Sequence, residues 1–249
     1  MMRRILSVTV FALMMVFLMH GSTRADWYFD VETGVAVSGY NDVRIPGDTG
    51  TKFSLSEELD SDPVLFWRLR ISRDLGEKHH LSLLVAPLRF KSRGSFDRVV
   101  SFAGVDFPAN VDIKARYRFD SYRLTYRYRL YQNEKLYAGL GLTAKIRDAE
   151  ISLSNTSSKA SKANTGFVPL INLKLYWRFN EKLGILFQGD GLAAPQGRAE
   201  DFLLAGLYSL KDKLDLKMGY RFLEGGADND EVYTFALVNY IVIGAVWRL

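Results

Sequence analysis

The chain has 249 residues, no cysteine, 13% aromatic residues and a formal net charge of +5. The lack of cysteine excludes disulfide bonds, thiol catalysis and thiolate metal sites. Part of the positive charge comes from the N-terminal 25 residues; the remainder has 30 basic and 28 acidic side chains. This balance does not indicate a nucleic-acid partner.

The first 25 residues have the pattern of a secretory signal peptide. Arg3 and Arg4 form a basic start, an apolar run of 15 residues follows from Ile5 to Met19, and small residues precede a cleavage site after Ala25. The run is shorter than the roughly 20 residues of a membrane helix. We therefore predict an exported chain with a signal peptide at 1–25 and a single domain at 26–249.

Apolar and polar residues begin to alternate at Trp27, with the period of two that is typical of β-strands. Pro87 breaks the hydrogen-bond ladder of the third predicted strand, because proline cannot donate to it, and we predict a bulge or bend there. The first three predicted strands are 27–38, 63–73 and 80–101, with a long polar loop at 39–62 and a short turn at 74–79 between them.

The fourth predicted strand, 112–131, contains the segment SYRLTYRYRLY. This segment places tyrosines and leucines on one face and three arginines on the other. The apolar set changes phase near Asp120, since Phe119 and Tyr122 cannot share a face, and we predict a β-bulge at that point. A strand with these two faces is typical of a transmembrane β-barrel, in which the apolar face meets lipid and the charged face lines the lumen.

Six further strands complete the pattern. We expect the Ser/Asn/Lys-rich segment 154–165 to be an exposed, mobile loop. Gly139 and Gly141 lack inward side chains and leave room for long side chains of neighbouring strands. The remaining predicted strands are 136–153, 166–179, 183–190, 200–210, 214–222 and 232–249.

The predicted fold is all-β: a closed antiparallel transmembrane β-barrel of ten strands. An even number places both ends of the chain on the periplasmic side, where the short turns belong, and the long loops outside. Eight strands are an alternative because the seventh and eighth are weakly patterned. Twelve are an alternative if the long third and fourth strands contain another hairpin.

The signal peptide, the alternating strands, the aromatic strand ends and the closing strand IVIGAVWRL resemble the outer-membrane β-barrel proteins of Gram-negative bacteria. The closing strand is similar to their assembly signal, although its aromatic residue is Trp247 and the last residue is Leu249. The segments LVAPLRF, YRLTYRYRLY and LTAKIRDAEISL are similar to a small-barrel family without a characterised activity. The resemblance implies a multi-pass protein of the cell outer membrane that contacts lipid, lipopolysaccharide and the outer-membrane assembly machinery. We expect a monomer.

Enzymes among such barrels need a histidine base near the outer rim. After the predicted signal peptide the chain has only His79 and His80, beside the short turn before the third strand and thus at the opposite end. The acidic segment 228–231 lacks the spacing of a calcium loop. We therefore predict no catalytic residues, no cofactor and no metal site, and a lipid-modifying enzyme is the least favoured alternative.

The most distinctive feature is the set of charged residues at inward positions. Buried charges must be paired or hydrated, so we expect a salt-bridged, largely plugged lumen and a structural or surface-interaction role. One alternative is a narrow channel for anionic or small polar solutes, since rings of Arg and Lys select anions. Another is a soluble barrel with the two faces reversed. The predicted lumen charge network comprises Asp30, Glu32, Arg68, Arg70, Arg123, Arg127, Arg129, Lys145, Arg147, Lys174, Arg178, Lys217 and Arg221.

Overall fold

The computed structural model describes residues 27–195 and 197–249, so the predicted signal peptide lies outside the described residues. No helix in this part of the chain is long and apolar enough to cross a membrane. The strands are β1 (Trp27–Arg44), β2 (Phe53–Ser54), β3 (Asp60–Ser61), β4 (Val64–Leu75), β5 (His79–Ala86), β6 (Arg89–Gly94), β7 (Val100–Phe102), β8 (Val105–Phe107), β9 (Ile113–Gln132), β10 (Leu136–Ser154), β11 (Lys159–Arg178), β12 (Leu183–Ala194), β13 (Gly197–Lys211), β14 (Leu214–Asp228) and β15 (Tyr233–Arg248).

Ten strand positions close into one antiparallel barrel. Their order around the barrel is β1, β4, β5, β9, β10, β11, β12, β13, β14 and β15, and β6 continues the path of β5 along β9. The first and last strands meet, with Tyr28 opposite Arg248. Closure leaves no free edge of the kind that two-ended sheets must protect. The predicted closed ten-stranded barrel is confirmed.

The two ends of the barrel differ. The turn end has the short connections at 76–78, 133–135, 179–182 and 212–213, together with Trp27 and Leu249. The Leu249 N–H donates to the Trp27 carbonyl over 2.9 Å and joins the two ends of the domain. The loop end has the connections at 45–63, 95–112, 155–158 and 229–232 and the short connection after Ala194.

The outward face forms an apolar belt, as the alternation predicts. One outward-facing row crosses four neighbouring strands and consists of Val85, Tyr122, Ile146 and Phe167, each paired with the next. This row marks the edge of the belt toward the loop end. The belt includes Val35, Trp67, Tyr122, Leu124, Leu130, Leu140, Leu142, Ile171, Trp177, Leu204, Met218, Ile241 and Trp247, all exposed.

The predicted bulge near Asp120 is wrong. β9 pairs with β10 in one register from Lys114 to Arg129, and no shift occurs at Asp120. The odd-numbered residues face inward throughout, but they are apolar above this point, as in Ile113 and Phe119, and polar or charged below it. The change of phase in the sequence therefore reflects a change from polar to apolar side chains in the lumen. No residue is inserted in the strand.

The ladder is interrupted at Pro87, as predicted, but no bulge accompanies the interruption. Ala86 pairs with Ser121 before it and Arg89 pairs with Arg118 after it, which is the same register. The Phe119 N–H still donates to the Leu88 carbonyl over 2.9 Å. Proline therefore removes one donor and leaves the path of the strand unchanged.

The predicted loop at 154–165 is also wrong, because most of it is strand. β10 and β11 stay paired up to Ser154 and Lys159, and only residues 155–158 form the turn. The inward residues Ile151, Leu153 and Ala160 are buried. Serine and lysine alternate with these residues because the outer face of this extension meets water, so a polar composition hides a strand.

The loops 45–63 and 95–112 fold into a cap over one side of the loop end. The cap packs on the inward faces of β9, β10 and β11 and contains the small β7–β8 hairpin, whose turn residues Ala103 and Gly104 have φ of 51° and 80°. Positive φ at both positions is typical of two-residue hairpin turns. The buried cap cluster is Val43, Ile45, Phe53, Leu55, Leu59, Phe96, Val100, Phe102, Phe107, Ile113, Ala115, Ile151, Leu153 and Ala160.

One section of the barrel wall is incomplete at the loop end. β11 extends to Lys159, but it pairs with β12 only between Ile171 and Arg178. Pro169 has no N–H to offer, and β12 ends at Ala194. The part of β11 above Ile171 therefore has an unpaired edge on the side of β12.

Candidate functional site

A network of buried charges crosses the lumen below the cap. At its centre lies Asp201 of β13, only 1% exposed. Arg123 of β9 approaches Asp201 at 2.5 Å and Arg68 of β4 at 3.0 Å, and Arg221 of β14 donates to its other carboxylate oxygen. One carboxylate therefore ties together three arginines from three other strands.

Glu32 of β1 is the second centre of the network. Arg221 and Lys217 both lie 2.7 Å from its carboxylate oxygens, and Arg68 lies 3.3 Å away. Lys217 also pairs with Asp30. Since Arg68 and Arg221 bridge Glu32 to Asp201, the two centres form one continuous ion network.

Asp190 of β12 connects the opposite wall to this network. It accepts from Arg123 at 2.7 Å, from the Thr143 hydroxyl at 2.6 Å and from the Asn172 amide at 2.7 Å. Arg127 donates its Nε–H to the Asn172 carbonyl oxygen over 2.7 Å. Gly139 makes this approach possible, because a Cβ there would lie 2.6 Å from the Arg127 side chain.

Four cations of the lumen have no carboxylate within 4.0 Å in the described part of the chain: Arg70, Arg127, Lys145 and Lys174. Arg70 reaches only the Ser82 hydroxyl, at 3.5 Å. Lys174 lies 5.8 Å from the Tyr137 ring and Lys145 lies 4.9 Å from the Phe119 ring. The described lumen therefore holds more positive than negative charge.

The other predicted network residues lie near the two ends of the barrel. Arg129 pairs with Asp74 at 3.2 Å toward the turn end. Arg178 also lies toward that end and forms no ion pair within the described chain. Arg147 donates to the Asn164 side chain over 2.6 Å at the loop end. Within the described residues, these three side chains are not joined to the central network.

The two histidines in the described part of the chain lie at the turn end, where the sequence places them. His80 is 2.7 Å from Asp74, and His79 is 2.7 Å from the Tyr126 hydroxyl. The described residues contain no group of three or more histidines, cysteines and carboxylates that could hold a metal ion.

Sequence reasoning missed Asp201, the centre of the network. The strand that contains it is nearly continuous in apolar residues, so its facing is ambiguous. The half of this strand toward the turn end nevertheless indicates the facing of Asp201. Leu204 and Tyr208 face outward at even positions, so Asp201, at an odd position, must face inward.

A cavity of about 840 Å³ opens at the loop end beside the cap. Lys145 and Phe119 line its inner part, and Phe167, Leu192 and Arg198 line its sides, together with the segment 223–238. Arg198 donates to Glu224 over 2.8 Å, and Tyr40 donates to the same carboxylate. The cavity adjoins the ion network, because Lys145 in its lining pairs in register with Arg123 of the network.

The cap carries its charges on its surface. Lys52 pairs with Asp42 at 2.9 Å and Arg98 pairs with Glu58 at 2.7 Å. The hydrogen bond to Asp42 raises the pKa of Lys52, and the hydrogen bond to Glu58 raises the pKa of Arg98. Both pairs are open to water, in contrast to the lumen network.

Solved structures share this architecture. The outer-membrane protease OmpT of Escherichia coli matches with a TM-score of 0.58 at 10% identity, over 92% of this chain and 99% of that one. The chain has the fold of the Gram-negative outer-membrane β-barrels. As in those barrels, the apolar belt faces outward and the charged residues face the lumen.

Two other outer-membrane barrels match at lower TM-scores. The attachment invasion locus protein Ail of Yersinia pestis, solved with the heparin analogue sucrose octasulfate, has a TM-score of 0.41 at 11% identity, over 90% of this chain and 99% of that one. The translocator domain of the autotransporter NalP of Neisseria meningitidis has a TM-score of 0.42 at 12% identity, over 99% and 96%. No family model and no curated protein matches the chain. Identities of this size show the fold alone.

Proposed function

We propose that the protein is an integral β-barrel of the cell outer membrane whose lumen is closed by salt bridges between side chains. Its role lies at the outer surface and is either structural or in binding. The turn end then faces the periplasm, and the loop end with its cap and cavity faces outward. A protein of this type presents its functional surface to the exterior and conducts no solute.

The observation that carries this proposal is the position of Asp201 between three arginines. The strands that bear Arg68, Arg123 and Arg221 surround the lumen, and their guanidinium groups meet at one buried carboxylate. Removing one partner from a buried ion network typically costs about 3–5 kcal/mol, so a passing solute could not displace these groups cheaply. A ten-stranded barrel is also only slightly wider than the eight-stranded kind that side chains fill.

The positions of the histidines support a non-enzymatic role. His79 and His80 lie at the turn end, and the outward-facing cavity has no histidine in its lining. A general base at the outer surface would have to be a group other than histidine.

A second candidate is a narrow passage for anions, which the unpaired cations favour. Arg70, Arg127 and Lys174 lack a carboxylate partner within 4.0 Å in the described lumen. Cations that line a pore select anions. In this alternative the network forms the wall of the passage rather than a plug.

Single-channel recording on the refolded protein in a planar bilayer separates the two candidates. A closed barrel gives no steady openings, while heat-modifiable migration on a gel shows that the barrel is folded. Steady anion-selective openings that disappear when Arg127 and Arg129 are replaced by serine would overturn the closed-lumen proposal.

A further inference from the structure

The loop-end cavity has the dimensions of a ligand site. Its volume of about 840 Å³ falls within the range of about 300–1,000 Å³ that small-molecule sites occupy. The cap fills the opposite side of the loop end with its own side chains, but the cavity is not filled. Apolar side chains dominate the lining, among them Phe119, Phe167, Leu192 and Val238.

Lys145 supplies a charge to this apolar space. It is 2% exposed and lines the inner part of the cavity, and the described residues place no carboxylate within 4.0 Å of its ammonium group. The face of the Phe119 ring lies 4.9 Å from the ammonium nitrogen. A buried ammonium without a counter-charge is costly, and an anion at this point would remove that cost.

Other charges at the cavity already have partners. Arg198 pairs with Glu224 at 2.8 Å, Lys162 lies 3.7 Å from Glu231, and Arg147 donates to Asn164. The partner of Arg147 is a neutral amide, and Arg147 is only half-buried. Lys145 is therefore the buried cation of the cavity that has no carboxylate within 4.0 Å in the described residues.

The cavity also has a side opening in the barrel wall. Phe167 and Pro169 of β11 and Leu192 and Ala194 of β12 line it on the two sides of the unpaired section. This section begins just above Ile171, beside the row that ends the apolar belt at Phe167. Unpaired backbone groups at membrane depth are tolerated where they are buried in protein or line a cavity, and this section lines the loop-end cavity. The opening thus lies at the height where lipid headgroups meet acyl chains.

We propose that this cavity binds an amphiphile with a single acyl chain and an anionic carboxylate or phosphate head. The head lies against the Lys145 ammonium group, and the chain passes between β11 and β12 toward the apolar belt. The inference rests on the proposed outer-membrane location. The amphiphile arrives either from the outer leaflet through the side opening or from the surrounding water through the loop end.

The test uses the full mature chain in lipid nanodiscs with doxyl-labelled stearic acid as the probe, read by electron paramagnetic resonance. We expect a motionally restricted component in the spectrum that bulk lipid does not give. Lys145→Met should weaken binding about tenfold or more, because a charge-assisted hydrogen bond is lost. Lys145→Arg keeps the positive charge and should restore the component.

Lys162→Met is the matched control, since it removes a lysine from the same cavity that already faces Glu231. It should leave the component unchanged. The methyl ester of the probe, which has the same chain without the charge, should bind the wild-type protein as weakly as the acid binds Lys145→Met. Equal binding of the acid to all variants, or of acid and ester to the wild type, would overturn the proposal, and so would a spectrum without a restricted component.

Octyl phosphate distinguishes the two sources. If it displaces the probe when added to the water phase, soluble amphiphiles reach the head site. If only amphiphiles incorporated into the nanodisc bilayer compete, the ligand comes from the membrane, and either result supports the site. A heat-modifiable, non-conducting barrel without a restricted component would contradict this inference and leave the proposed function intact.

Discussion

The lumen network and the cap show two ways of filling one barrel. At mid-height the centre of the interior consists of Arg, Lys, Asp and Glu joined across the lumen, and a second buried apolar cluster that includes Leu203, Tyr240 and Val242 lies beside it. At the loop end it consists of Phe, Leu, Ile and Val packed beneath the cap. β9 runs through both regions, with Arg123 facing inward below and Phe119 facing inward above.

The difference follows from the solvent outside the wall. Within the apolar belt the outward residue is Tyr122, and above it the outward residue is Arg118, which pairs with Asp148 at 2.6 Å. In the proposed membrane location lipid covers this part of the outer face, so the apolar residues lie there, and directional ion pairs hold the centre of the interior. Where water returns to the outer face, the interior becomes apolar, as in a soluble protein.

Among the substitutions that test this comparison, removal of the Asp201 carboxylate charge should have the largest effect on the free energy of unfolding. Asp201→Asn keeps the shape and leaves Arg68, Arg123 and Arg221 with one charge fewer to share. We expect a loss of about 3–5 kcal/mol in the free energy of unfolding, because a buried pair is broken on one side. Urea unfolding of the protein in lipid vesicles, followed by gel mobility, measures it.

Asp215→Asn is the matched control for this change. Asp215 also faces the lumen, but it lies near the turn end, partly exposed, and accepts from Ser209 over 2.6 Å. Its loss should cost below about 1 kcal/mol. Equal losses in the free energy of unfolding for Asp201→Asn and Asp215→Asn would show that the central network stabilises the barrel no more than a partly exposed carboxylate does.

Replacement by methionine should change the stability of the barrel differently for a paired and for an unpaired lysine of the lumen. Lys217→Met leaves Asp30 and Glu32 short of a counter-charge and should destabilise the barrel by about 3 kcal/mol. Lys174→Met removes a cation that has no carboxylate within 4.0 Å in the described residues and should be neutral or stabilising. The same urea titration compares them, and a loss for Lys174→Met equal to that for Lys217→Met would contradict the assignment of partners.

The sequence is sufficient to predict the barrel because alternation with a period of two is a local property. The outward positions of Leu124 and Trp67 follow from their immediate neighbours. The partners of the inward charges are not local: Arg123 meets Asp201 across the lumen, 78 residues later. No pattern near either residue specifies that contact.

The errors have a physical cause in common. The predicted bulge at Asp120 and the predicted loop at 154–165 both assume that the outer face stays apolar along the whole strand. The strands in fact continue beyond the belt, where the polarity of both faces is exchanged. The incomplete wall was equally hard to foresee, although Pro169 is a local signal for an unpaired strand edge.

A cavity in the cap should have a moderate and local effect. Leu55→Ala removes a side chain that is 1% exposed within the cap cluster and should cost about 2–4 kcal/mol of cap stability. We expect the cap to open while the barrel stays closed, so limited proteolysis of 45–63 should accelerate with the gel mobility of the barrel unchanged. Val99→Ala, at an exposed position of the other cap loop, should change neither. If Leu55→Ala lowered the unfolding midpoint of the whole barrel, the cap and barrel would form one cooperative unit.

Salt should separate the exposed charges of the cap from the buried charges of the lumen. Arg98 links Glu58 at 2.7 Å to the Lys52 carbonyl at 2.8 Å and also pairs with Asp97 at 3.1 Å, and all three partners are open to water. Arg98→Ala should therefore cost only about 0.2–1 kcal/mol, seen as faster proteolysis of the cap at low ionic strength. Near 1 M salt the screening length falls to about 3 Å, and the difference from wild type should nearly vanish. Arg93→Ala is the control, since Arg93 is exposed and forms no salt bridge in the described structure.

The cost of Asp201→Asn, in contrast, should be the same at both ionic strengths, because salt does not enter the packed lumen. A cost at Asp201 that faded with salt would mean that water and ions penetrate the network, which would favour the anion passage over the closed lumen.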